Sequence, residues 1–197
     1  SSAARRAAIR ALKRIAMPAV VALRARALDA LRSEIPDVVL VNGGGTGSLD
    51  ATARDPSVTE VAVGSGFLCS HLFDGYDGLD LEPAELFALE VSRIPDADHV
   101  TCAGGGYVAS GWPSPDRLPQ PYLPRGLSWL ALEGAGEVQS PLDVRHAERR
   151  PRVGDPILFR PAKAGEIAER FSEYLLIRDG AIESREPTYR GEQRCFF

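Results

Sequence analysis

The apolar positions of this chain fall into two textures. Over residues 3–16, Ile9, Leu12, Ile15 and Ala16 recur at helical spacing between charged residues, which predicts an amphipathic helix. A second helix is predicted over residues 19–33. Pro18 sets the break between them, because proline lacks a backbone donor and crowds the preceding turn. Next, "IPDVVLVN" (Ile35 to Asn42) reads as a short apolar strand of the kind buried on both faces of a parallel sheet. It runs straight into the glycine loop "GGGTG". A second strand, "VTEVAVG" (Val58 to Gly64), ends in another glycine-rich turn, "GSGFL". Helix, strand, loop, strand, loop is a β/α region with its loops at the carboxyl ends of the strands.

From about residue 81 the pattern changes. "LFALEVSRI", "HVTCAGGGYVASG", "LSWLALEG", "GEVQSPL", "DPILFRPA" and "SEYLLIRDGAIESRE" are strand-like runs separated by proline and glycine clusters. Asp179-Gly180 marks a two-residue hairpin turn. The proline-rich stretch "PSPDRLPQPYLP" (Pro113 to Pro124) reads as a connector rather than a strand. The expected organisation is therefore a β/α region over residues 1–80 and an all-β domain over residues 81–197.

Composition narrows the class. The 197 residues, 44% of them hydrophobic, suffice for a core, and no apolar run is long enough to span a membrane. Cys69, Cys102 and Cys195 show neither an even count nor paired spacing. No disulfide framework or zinc ribbon is expected, and a reducing, cytoplasmic setting is. Charge is uneven. Residues 1–34 hold Arg5, Arg6, Arg10, Lys13, Arg14, Arg24, Arg26 and Arg32 against Asp29 and Glu34, a surplus of six in a chain of net charge -4. A nucleic-acid arm or a targeting peptide would look like this, and so would the solvated face of an amphipathic helix. The helical spacing of the apolar residues favours the last, so no nucleic-acid partner is expected. The chain opens "SSAARRAAIR", without methionine and already in helical pattern, which raises the expectation of a preceding segment.

The two glycine loops hold the main candidate chemistry. "GGGTG" matches neither a GxxxxGK[ST] phosphate loop nor a GxGxxG dinucleotide fingerprint. Repeated after consecutive strands, such loops suit a phosphate gripped by backbone N–H groups, with Thr46 and Ser65 as candidate hydroxyls. His71, His99 and His146 are far apart, and only His71 with Asp74 has a spacing that could share a metal on a helix. A cap or surface histidine explains it as well. The pairs Glu133/Glu137 and Glu166/Glu169 could be acid–base groups or solvated faces.

A run of motifs then adds up. "NGGGTGS", "TEVAVGSGFLCSHLFDGY", "GGGYVASG", "DRLPQPYLP", "EGAGEVQSPL", "GDPILFRPAKAGEIAERF" and "PTYRGEQRCFF" follow one another from about residue 36 to the end. In this order they resemble the C-terminal half of the pyridoxal-phosphate amino acid deaminase/aldolase family, related to D-threonine aldolase and D-serine dehydratase. The resemblance implies the C-terminal half of a (β/α)8 barrel of alanine-racemase type, followed by a β-rich domain, in a homodimer. It implies a lyase acting on a small β-hydroxy D-amino acid, with pyridoxal 5'-phosphate as cofactor. It places Gly44, Gly45, Thr46, Gly47, Ser65, Gly66 and Phe67 around the cofactor phosphate.

Two departures qualify the resemblance. The family's cofactor-bonding lysine stands on the first barrel strand, and neither Lys13 nor Lys163 matches it. This chain alone is therefore expected to be inactive. The alternative reading is a non-catalytic remnant of the fold, serving in binding or dimerisation. A third reading needs only the glycine loops and gives them another phosphate ligand. Secondly, the family's metal-dependent members carry a His-x-Asp or His-x-Cys pair in the β domain, where this chain has Pro161 and Lys163. No metal is expected there. Lys163 becomes the candidate catalytic residue, donating a hydrogen bond to the substrate hydroxyl, with a salt bridge to Glu166 or Glu169 as the plainer alternative.

Overall fold

The computed structural model describes residues 3–194. The chain divides into two compact units. The first is Ser1–Phe67 with Gly75–Asp77, and the second is Leu68–Asp74 with Gly78–Phe197. The residues of the terminal "CFF", Cys195 among them, lie outside the described part.

In the first unit the two expected helices are one. Helix α1 spans Ala3–Glu34 with Pro18 inside it. The proline removes one backbone hydrogen bond, but Ala-, Leu- and Arg-rich flanks favour helix strongly enough to carry the chain through. Only Leu28 of α1 is buried, while Ile9, Leu12, Ile15, Val20, Leu23 and Leu31 stay exposed. The expected strands are also much shorter than the apolar runs that suggested them. Strand β1 is Asn42–Gly43 and β2 is Glu60–Val61, paired in parallel with Asn42 opposite Glu60. Val39 and Leu40 lie outside the pairing, Val39 at 80% exposure. A run buried on both faces needs neighbours on both sides, and this unit provides one. The short helix α2, Leu49–Ala53, follows the first glycine loop.

A charged contact ties α1 to the strand region. Asp55, its side chain fully buried, accepts from Arg24 and from the backbone N–H (2.9 Å) and hydroxyl (2.6 Å) of Ser57. The Ser57 hydroxyl, joined by Arg24, holds its pKa below the ordinary aspartate value despite burial.

The second unit is β-rich, as expected. Six strands form one antiparallel sheet: β3 Phe87–Arg93, β4 His99–Ala103, β5 Gln120–Leu123, β6 Ser128–Trp129, β7 Gln139–Asp143 and β8 Pro156–Arg160. Their order is β5-β8-β3-β4-β7-β6. Strand β5 lies within the stretch expected to be a connector. Its Pro121 stands on an outer strand, where a missing N–H costs the ladder nothing. The sheet is nearly closed, for Trp129 of β6 donates its indole N–H to the Pro119 carbonyl beside β5 at 2.7 Å.

Alternation in β3 turns Phe87, Leu89 and Val91 inward. They pack with Val100, Leu142, Ile157 and Phe159 into the core. Phe159 is the hub of its aromatic part, stacked on Phe87 at 5.3 Å and on Trp129 at 5.5 Å between ring centres. Strands β9 Glu173–Arg178 and β10 Ala181–Pro187 form the expected hairpin, with Asp179 and Gly180 both at positive φ in the turn.

Candidate functional site

The glycine loops occupy the ends of β1 and β2. The first passes through Gly44 and Gly45 into a 3-10 turn, Thr46–Ser48, and the second is the 3-10 turn Gly64–Gly66. One buried side chain stitches them together: the Thr46 hydroxyl donates to the Val63 carbonyl. Gly66 seats directly on that stitch. A Cβ there would fall 2.6 Å from Val63 Cγ1 and 2.8 Å from Thr46 Cγ2. Gly44 and Gly47 are likewise enclosed, against Thr52 and the ring of Tyr76.

Gly45 differs. Its backbone is extended, and a Cβ there would meet nothing within 4 Å. Packing and backbone conformation therefore leave its glycine unexplained, whereas the close approach of an outside group would explain it. Ser65 is exposed in the second loop's turn, and Phe67 is 77% exposed. The N–H groups of Gly66 and Phe67 donate within their own turn, to Val63 (3.0 Å) and Gly64 (3.1 Å). The open cradle is thus the Gly45 side, with Thr46 and Gly66 as its frame. These residues suit an anionic phosphate, which wants bare backbone and hydroxyl donors.

The second unit has a separate cleft of about 240 Å³, walled by Tyr107, Val108, Pro161 and Ile167. Lys163, half-buried, stands in it. Its ammonium donates to the Ser110 hydroxyl oxygen at 2.9 Å and lies 3.9 Å from Glu166 Oε1. Ser110 in turn donates twice to Glu166, from its hydroxyl to Oε1 and from its backbone N–H to Oε2 at 2.8 Å. The ion pair with Glu166, the plainer alternative for Lys163, is therefore present, and Ser110, which the sequence did not mark, bridges its two ends. The only local signal for Ser110 was its place at the end of "GGGYVASG". Its partners stand 53 and 56 residues away.

The metal implied by the resemblance does not fit these residues. Pro161 has no side-chain donor atom, and the Lys163 ammonium repels a cation. His71 and Asp74, the other spacing considered, are engaged elsewhere. The Nε2–H of His71 donates to the Leu118 carbonyl at 2.8 Å, and burial lowers its pKa. Asp74 receives both terminal nitrogens of Arg160, at 2.8 and 2.9 Å.

No protein-family model matches the sequence, and no curated protein does. Solved structures do match. The chain is similar to D-threonine aldolase from Filomicrobium marinum, at 21% identity and a TM-score of 0.69, over 85% of this chain and 46% of that one. It is also similar to D-threo-3-hydroxyaspartate dehydratase from Delftia sp. HT23, at 20% identity and a TM-score of 0.56, over 87% and 52% of the two chains. The likeness is one of fold, and the chain spans about half the length of each. The resemblance read from the sequence motifs and the likeness in structure lead to the same group of proteins.

Proposed function

We propose that this chain forms part of a pyridoxal-phosphate-dependent lyase, a deaminase or aldolase acting on β-hydroxy D-amino acids such as D-threonine or D-serine. The observation that carries the proposal is the bare face at Gly45, in the first of two glycine loops that Thr46 locks together at the ends of parallel strands. The fold it shares with a D-threonine aldolase and a hydroxyaspartate dehydratase supports the substrate class. On this reading the first unit is the C-terminal part of a β/α barrel, and the active protein is a cytoplasmic homodimer. The burial of Cys69 and Cys102 as unpaired thiols accords with a reducing compartment.

Bound pyridoxal phosphate supplies an electron sink for the negative charge left when a bond at the substrate Cα breaks. This chain's share is binding and orientation. Gly45 lets the phosphate approach the backbone, Ser65 offers a hydroxyl donor, and Gly44, Gly47 and Gly66 keep the loops compact. Thr46 acts through the loops rather than on the phosphate, because its proton is directed to Val63. Phe67 offers an exposed apolar face at the end of the second loop's turn. Covalent attachment of the cofactor is outside this chain's role. Lys13 lies on α1 over the Tyr76 ring, and Lys163 lies in the cleft of the second unit.

The test is a Gly45→Ala variant. The added methyl meets no neighbour, so the melting temperature is expected to hold. Pyridoxal phosphate affinity, measured by fluorescence titration, is expected to fall by about tenfold or more, the value of one hydrogen bond to a charged group. Unchanged affinity would remove the cradle from the phosphate site.

A further inference from the structure

We infer that the cleft of the second unit carries its cation covalently. The Lys163 ammonium, held by Ser110 and Glu166, does there what a divalent ion would do: it polarises the hydroxyl of a small hydroxy amino acid. The inference deepens the lyase reading and rests on it for the identity of the ligand.

The donor set is the first ground. A divalent ion needs several anionic or neutral lone-pair donors, and the run Pro161-Ala162-Lys163 presents none from its side chains, while the two carboxylates lining the cleft, Glu166 and Glu169, share it with the cations Lys163 and Arg170. The ammonium brings positive charge without any ligands. Its setting is the second ground. Glu166 is fixed at both oxygens by Ser110, so its carboxylate balances Lys163 from a constant direction. An ammonium has three donors. One serves Ser110, which leaves capacity for an oxygen in the cleft. Glu166 retains lone pairs that can accept a hydroxyl proton in return. A single ligand hydroxyl can thus accept from Lys163 and donate to Glu166. The surrounding walls of Tyr107, Val108, Pro161 and Ile167 suit the short apolar part of such a ligand. Ser110 and Glu166 are positioning residues in this scheme.

Two measurements test it on the full chain. In manganese titrations followed by electron paramagnetic resonance, the wild type is expected to leave Mn²⁺ free. The double variant Pro161→His, Lys163→Asp, which installs two donors, is expected to bind it. Stoichiometric binding by the wild type would overturn the inference, and so would a folded double variant that binds none.

The second measurement needs no variant. Lys13 is the only other lysine, so the labelled side-chain carbon signal of Lys163 is one of two in the spectrum. With pyridoxal phosphate supplied, this signal is expected to move on adding D-threonine and to stay in place with D-2-aminobutyrate, which lacks the hydroxyl. In Ser110→Ala the D-threonine concentration for half-response is expected to rise about tenfold. Equal responses to the two amino acids, or none to either, would overturn the hydroxyl contact. A chain that rejects pyridoxal phosphate yet gives the expected manganese result would defeat the lyase reading and leave the covalent cation standing.

Discussion

At Gly66 a methyl group has no room: Val63 and Thr46 both lie under 3 Å from where it would sit. Gly66→Ala is therefore expected to push the two loops apart and destabilise the first unit by about 1–3 kcal/mol, as overpacking does. Thermal denaturation checks it, and the contrast with Gly45→Ala separates packing from binding. Arg160 gives a second residue-scale case. Its side chain is buried and joined to Asp74 and to the Cys69 carbonyl at 3.0 Å. Asp74→Ala leaves that cation with the carbonyl as its remaining strong partner, and a loss of roughly 1–3 kcal/mol is expected in urea unfolding. The sum is kept low because Asp74 itself is half-exposed. Asp143 sets an acid limit. Hydrogen bonds from the Arg145 side chain and backbone hold its pKa at about 2, against 3.8 ordinarily. A carboxylate depressed in the folded state stabilises above its unfolded pKa. That contribution is expected to fade as pH falls from about 3.8 to about 2, a loss that Asp143→Asn removes from the stability profile.

Among the elements, α1 holds the clearest misfit between local chemistry and form. A proline inside a helix costs about 3 kcal/mol relative to alanine. Pro18→Ala is expected to raise helical stability toward that amount, seen as a higher melting temperature with little added helical signal, since the helix is already continuous. The β-rich unit has the opposite character. Its strands β3, β7 and β8 bury alternate side chains, and the Asp179-Gly180 turn has the positive φ values that such a hairpin demands. Phe159 binds these strands together from β8. Phe159→Ala is expected to cost about 3–5 kcal/mol, measured by chemical denaturation, because it empties the space between Phe87 and Trp129.

Across the whole molecule the two units differ in how well they satisfy themselves. The second surrounds its core with a nearly closed sheet. The first leaves an apolar helix face, Val39 and Leu40 exposed beside an open parallel pair. Such edges and patches recruit other polypeptide. The chain is expected to self-associate at rising concentration in analytical ultracentrifugation, and a strictly monomeric sample would contradict this.

Sequence alone determined what depends on near neighbours. The strand-like run "LFALEVSRI" marked β3, the Asp-Gly pair marked the hairpin, and the clustered glycines marked both loops. The ordered motifs led to the group of folds that the solved structures support. Only the tertiary structure decided the rest. Pro18 breaks helices by local rule, yet α1 runs on. "IPDVVLVN" is apolar enough for a central strand, yet two residues pair, because pairing needs a neighbour and apolarity does not supply one. Thr46 turned out to face Val63, 17 residues on, and Ser110 to join Lys163 and Glu166 over 53 and 56 residues. Hydrogen bonds across such distances leave no periodicity in a single sequence. They exist because folding brings together groups that burial would otherwise leave unpaired.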